Sequence, residues 1–212
     1  IRLVDSSGTK ILNNTIRSDS ADAGILVQAV TNAEVGNIVN NVDIAGNLLT
    51  AAAQGIQFYG PSGVFTNIKI TGNTVYGGSS TAIAVEKTTN LVFSSNSILS
   101  SVRALDLSDV VNARLAANII TSSLAFPGYG VAITGASSGI CDESNSLSGT
   151  VIRNTTGVFI ISKYGNATPA FGDGYWGIGE RIIQSVPAVG NSKGWRCTVA
   201  GNPGTWVSEG NL

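Results

Sequence analysis

The sequence predicts an all-β chain, a right-handed parallel β-helix (solenoid) with a small C-terminal antiparallel β cap. Three observations carry this. A motif built around Asn recurs along most of the chain, a second motif alternates with it, and both stop near Gly165, where the tryptophans begin. Repeats at a period of 20–50 residues mark architectures in which each unit buries its apolar face on the next.

The first motif is apolar, two small or polar residues, Asn, any residue, apolar. It runs from Ile11 to Ile16, Ile44 to Leu49, Ile70 to Val75, Phe93 to Ile98 and Leu115 to Ile120, with a degraded copy at Asn145-Ser146-Leu147. Its asparagines are Asn14, Asn47, Asn73, Asn96, Asn118 and Asn145. A buried amide needs partners, since an unpaired one costs about 1–3 kcal/mol, so the asparagines are expected to stack as a ladder. The second motif is small, apolar, any, apolar: Gly24–Val27, Gly55–Phe58, Ala82–Val85, Ala104–Leu107, Gly130–Ile133 and Gly157–Ile160. Its starts differ by 31, 27, 22, 26 and 27 residues, so the bare coil is about 22 and the excess is inserted loop. Period-2 alternation indicates strands with one buried face. Three strands per coil fit, as in Asn90–Phe93, Ser97–Leu99 and Ala104–Leu107. A leucine-rich repeat is excluded because its Leu-x-x-Leu-x-Leu frame and helical return segment are missing.

Ile1 lies thirteen residues before Asn14, as Ile83 does before Asn96, so the chain starts in mid-coil and without Met. Terminal coils need capping, so at least one earlier coil is expected in a longer parent. Residues 1–165 form the coils and 166–212 the cap, with strands expected near 180–186, 195–199 and 205–208 and a tight turn over Gly201–Gly204. All three tryptophans fall in this last segment. It is too small to bury them well alone, so it is expected either to plug the solenoid or to meet copies of itself.

With 43% hydrophobic and 12% charged residues, the chain is not disordered. A net charge of −1 without a basic cluster argues against nucleic acid, and no apolar run is long enough for membrane insertion. Histidine is absent, which removes the Ser-His-Asp triad and the usual zinc sites. No calcium or phosphate-binding glycine signature appears, and no cofactor or metal is expected. Cys141 and Cys197 define no disulfide framework, and their pairing stays open.

The coil motif resembles the pectate-lyase-like superfamily of parallel β-helices over about residues 1–165. The ending Gly194-Trp195-Arg196-Cys197-Thr198-Val199-Ala200-Gly201-Asn202-Pro203-Gly204-Thr205-Trp206 is similar to the C-termini of bacteriophage tailspike and tail-fibre proteins of that superfamily. The resemblance implies a homotrimer on the virion tail or otherwise extracellular, recognising and often cleaving a bacterial surface polysaccharide.

Glycan cleavage needs an acid and a base, and inverting hydrolysis uses carboxylates about 6.5–9.5 Å apart. Aligning Ile83 with Leu105 sets Glu86 and Asp106 on one outer face, one coil and two residues apart, roughly 8 Å by strand rise and spacing. Asp109 follows at the next turn. These three are the candidate catalytic residues. Tyr59, in the Glu86 column, and Arg103 and Tyr129, which share another, are candidate substrate-binding groups: Tyr to stack on sugar, Arg to hold an acidic one. Solvated outer-face charges give the same pattern, because they discourage edge pairing. Asp142-Glu143 is a second acidic spot, expected in a turn. Loops within Val27–Asn41 and Ser122–Tyr129, the latter with Phe126 and Pro127, could wall a groove. Three functions remain open: a glycan-cleaving tailspike part, a non-catalytic structural or trimerisation module, and a free secreted pectin-type lyase or hydrolase.

Overall fold

The computed structural model describes residues 1–19, 22–30, 38–61, 63–122, 129–143, 145–148, 150–153, 162–168, 176–201 and 203–212. Three parallel sheets wrap one core. The first has seven strands: Arg2–Val4, Ile25–Gln28, Ile56–Tyr59, Thr81–Glu86, Arg103–Ser108, Tyr129–Thr134 and Thr150–Arg153. The second has six: Lys10–Leu12, Ile38–Ala45, Val64–Thr71, Thr88–Ser94, Val111–Ala116 and Ser138–Glu143. The third also has six: Thr15–Ser18, Leu48–Ala51, Thr74–Gly77, Ser97–Ser100, Ile119–Ser122 and Ser146–Ser148. The chain visits the three sheets in turn, so each strand pairs with its counterpart one coil away. The alternation expected from the sequence is present, with Ile98 buried between exposed Ser97 and Leu99. Ile83 pairs with Leu105 and Val85 with Leu107, all inward and buried. Phe58 and Phe65 meet edge to face at 5.3 Å inside the coil. Burying such a ring stabilises by about 1.5–3 kcal/mol.

The corner between the second and third sheets explains the Asn motif. The residue before each ladder Asn is left-handed: Asn13, Gly46, Gly72, Ser95 and Ala117 have φ of 53–65°. That residue turns the chain, and the Asn fills the corner. Asn47, Asn73, Asn96 and Asn118 are each 1% exposed. The Asn96 backbone N–H and Nδ2 both donate to Asn118 Oδ1, at 2.9 and 3.0 Å, and Nδ2 also donates to the Ile70 carbonyl at 2.9 Å. The same pattern links Asn14 to Asn47, Asn47 to Asn73, Asn73 to Asn96 and Asn118 to Asn145. Every buried amide thus has its partners. A second left-handed column, unforeseen in the sequence, crosses the second sheet at Asn41, Asn67, Asn90 and Asn112. It is exposed, and Asn90 Nδ2 donates to Asn67 Oδ1 at 3.1 Å.

Two expectations are corrected. Asp142 and Glu143 lie in the strand Ser138–Glu143 rather than a turn. After Tyr129–Thr134 the first sheet continues at Thr150–Arg153, because the third-sheet strand Ser146–Ser148 runs almost directly into it. The motif at Gly157–Ile160 lies outside the described residues, as do Phe126 and Pro127.

The C-terminal sheet orders Ser162–Gly165, Arg181–Gln184, Gly194–Val199 and Thr205–Ser208, the first pair parallel and the others antiparallel. It has its own cluster of Trp176, Ile182 and Cys197, with Trp195 and Trp206 packed against it. Trp176 is 4% exposed and meets Trp206 edge to face at 5.1 Å. The segment therefore buries one indole and half-buries the other two within itself, better than its size suggested. On the opposite face Arg181 grips Glu209 through two nitrogens, and Arg196 Nε reaches the same carboxylate at 3.2 Å. Cys141 is exposed and Cys197 buried, and no disulfide joins them.

Candidate functional site

The outer face of the first sheet carries the candidate residues, and register fixes their places. Ala84 pairs with Asp106, and Glu86 with Ser108. Glu86 and Asp106 are therefore diagonal neighbours, with backbones about 8 Å apart from a spacing of about 4.8 Å and a two-residue rise. Tyr59, 39% exposed, precedes Glu86 in its column, as the pairing of Val85 with Phe58 requires. Arg103 and Tyr129 open the strands Arg103–Ser108 and Tyr129–Thr134, each two residues before the pairing of Leu105 with Val131.

Arg103 and Asp106 lie three apart, which in a regular strand would send them to opposite faces. Ala104 and Leu105 are both buried, and this break in the alternation keeps both charges outside. Arg103 Nη1 donates to Asp106 Oδ2 at 3.0 Å, with the Asp106 side chain 21% exposed. The other oxygen, Asp106 Oδ1, is buried and accepts no hydrogen bond from the described residues. Burial pushes the Asp106 carboxyl above the usual carboxylate range, against the pull of Arg103. Glu86 is also raised, first by burial and then by the charges of Asp106 and Asp109, while Lys87 opposes them. Two half-buried carboxyls that each favour the proton, one held by a guanidinium, can act as proton donor and acceptor.

Asp109 has a different employment. It is left-handed at φ 55°, at the corner between the first and second sheets, and its Oδ1 accepts the Ala136 amide proton at 2.7 Å. Asp5 does the same at φ 48°, accepting from the Val30 amide at 2.8 Å. Lys87 occupies the corner between them, and its ammonium donates to the Pro61 carbonyl at 3.0 Å. These side chains clamp one coil's corner to its neighbour. The sequence held the signal: Asp5 follows Leu3, and Asp109 follows Leu107, by two residues. The structure thus brings Glu86, Asp106, Arg103 and Tyr59 onto one face, with Asp109 beside them in a corner bond. Among the described residues, no group of three His, Cys, Asp or Glu side chains is gathered to hold a metal.

No curated protein and no solved structure matches the chain. The family described as right handed beta helix region matches residues 1–170. This fold is common to proteins that bind or degrade polysaccharides and to pectate lyases. Through that match and the three-sheet solenoid, the chain belongs to the right-handed β-helix family.

Proposed function

We propose that the chain is part of a phage-type tailspike, a homotrimer that binds and depolymerises a bacterial surface polysaccharide, with Glu86 and Asp106 as the proton-transfer pair. One observation carries the reading: Asp106 offers a buried oxygen with no donor among the described residues, one coil from a second carboxyl that burial has raised. A sugar hydroxyl or catalytic water would satisfy that oxygen. Inverting hydrolysis holds its carboxyls about 6.5–9.5 Å apart with a water between, a separation that diagonal neighbours with backbones about 8 Å apart can adopt. Tyr59 supplies a stacking surface, and Arg103 keeps Asp106 in place and favours an acidic sugar. A second reading, a non-catalytic trimerisation module, is supported by the Arg103–Asp106 pair, which also suits a surface ion pair.

The test incubates the protein with a panel of purified capsules, O-antigens and exopolysaccharides, following new reducing ends and new unsaturated uronates. Glu86→Gln and Asp106→Asn are each expected to lower cleavage about a hundredfold or more, as loss of an acid–base group does. Undiminished cleavage by both variants would remove the assignment, and no cleavage of any substrate would favour the module.

A further inference from the structure

The C-terminal sheet holds its indoles in two settings. Trp176 and Trp206 pack edge to face, and Trp206 Nε1 donates to the Pro203 carbonyl at 2.8 Å. Trp195 is placed differently. Its cross-strand partners are buried Ile182 on one side and exposed Ser208 on the other, so the indole lies at the rim of the cluster, half open to solvent. Its Nε1–H meets no acceptor among the described residues. Gln184 stands two residues beyond Ile182 and projects from the same face, diagonal to Trp195. Such diagonal neighbours are about 7–8 Å apart. Gln184 Oε1 is buried and accepts no hydrogen bond from the described residues. The strand itself is regular there, with the Gln184 N–H donating to the Lys193 carbonyl at 3.1 Å, so the backbone offers no reason for the unmet oxygen. A buried acceptor without a donor lowers stability, and a leucine in its place would not, so the amide calls for a partner from outside the chain.

We propose that Trp195 and Gln184 form a sugar-binding site on the C-terminal sheet, separate from Glu86 and Asp106 and independent of whether those residues cleave anything. The chemistry selects the ligand. An indole face takes a flat apolar surface, an unmet N–H takes an acceptor, and a buried oxygen takes a donor. A sugar ring presents all three. Its C–H face lies on the Trp195 indole, one hydroxyl accepts from Trp195 Nε1, and a neighbouring hydroxyl donates to Gln184 Oε1. A purely apolar ligand leaves both polar groups unmet, and a fully ionised phosphate or sulfate has no proton for Gln184. Exposed Lys193 lies directly across the strand pair from Gln184, and the movement of its flexible side chain admits the ligand to the oxygen. Ser208, bonded through its hydroxyl to Ser192 Oγ at 2.7 Å, borders the indole on the other side. A few placed polar groups around an aromatic surface are the usual make-up of a small-ligand site.

Trp176, Trp195 and Trp206 are the only tryptophans of the chain, so indole emission reports on this sheet and not on the solenoid. The experiment titrates short oligosaccharides, released by mild acid from the polysaccharide panel above, into the full chain and follows that emission. The same titration is run on Gln184→Leu and on Glu86→Gln/Asp106→Asn, and calorimetry replaces fluorescence for Trp195→Phe. The expected result is a saturable emission change with at least one oligosaccharide, equal in the unaltered chain and in Glu86→Gln/Asp106→Asn. Affinity should fall about tenfold or more in Gln184→Leu and in Trp195→Phe, each of which removes one hydrogen bond to the ligand. Gln184→Leu should at the same time melt about 2–4 °C higher, because it removes an unmet acceptor, a combination that a merely structural glutamine would not give. Binding by Gln184→Leu as tight as that of the unaltered chain overturns the site. An emission change lost in Glu86→Gln/Asp106→Asn but kept in Gln184→Leu overturns it too and gives the sugar to the solenoid. Oligosaccharides that the chain cleaves without any change in emission overturn this site and leave the proposed cleavage standing, and no emission change with any member of the panel overturns it outright.

Discussion

Asn96→Ala should be among the most damaging single changes to the solenoid, and the hydrogen bonds say by how much. The Asn96 side chain accepts from the Asn73 backbone N–H and from Asn73 Nδ2, both at 3.0 Å, and donates to the Ile70 carbonyl. Truncation removes the side-chain partner of the Asn73 backbone N–H and of the Ile70 carbonyl, in a corner only 1% exposed, while Asn73 Nδ2 still donates to the Ile44 and Thr71 carbonyls. Asn118 Oδ1 keeps the Asn96 backbone N–H and is half-satisfied. At about 1–3 kcal/mol for each of these two buried groups, the cost is about 2–6 kcal/mol. Whole domains are stable by about 5–15 kcal/mol, so this is a large fraction. Asn14 provides the internal control. It is exposed, and its loss removes one side-chain bond to Asn47 Oδ1, which still holds the Asn14 backbone N–H. Asn14→Ala should therefore cost about 1 kcal/mol. Urea unfolding followed by far-ultraviolet circular dichroism compares the two. An Asn96→Ala midpoint equal to that of Asn14→Ala would refute the ladder as a source of stability.

Ala117→Gly should raise stability by about 0.5–1 kcal/mol in the same assay, since Ala117 sits at φ 53° and glycine relieves that strain. For Glu86, burial raises the folded-state pKa, so its favourable contribution is full below the unfolded pKa and is lost as pH rises through the folded one. Glu86→Gln should therefore match the unaltered chain in melting temperature near pH 3 and exceed it increasingly from mildly acidic to neutral pH. Glu209 has the opposite sign. Hydrogen bonding from Arg181, its charge and that of Arg196 depress its pKa, so its stabilisation is present above the unfolded pKa and fades as pH falls through the folded one. Glu209→Gln should lower the tryptophan-fluorescence melting temperature of the C-terminal sheet at pH 7, with the difference disappearing in acid.

The parts that were legible from sequence are those where one residue type answers one geometric demand. An Asn every coil, bracketed by apolar residues, has few uses besides a buried ladder, and inward Ile83 over Leu105 fixed the register that aligns Glu86 with Ser108. Side-chain bonding at the corners was not legible. Asp109 and Glu86 look alike as outer-face acids, and only the left-handed backbone and the nearby Ala136 amide separate a clamp from a chemical group. The C-terminal cluster was undervalued because sequence alone does not show that Trp195 lies opposite Ile182 and Trp206 opposite Cys197 on one face. Asp142-Glu143 misled because two adjacent acids suggest a turn, whereas the backbone there continues the strand Ser138–Glu143 by pairing with Leu115 and Ala116.

The ladder also behaves as a gauge. Successive rungs lie 33, 26, 23, 22 and 27 residues apart in sequence, yet the amide-to-amide distances are all 2.7–3.0 Å. None of the difference in length therefore propagates along the axis. The solenoid can gain or lose surface loops, and with them what it touches, while the spine that counts the coils stays the same.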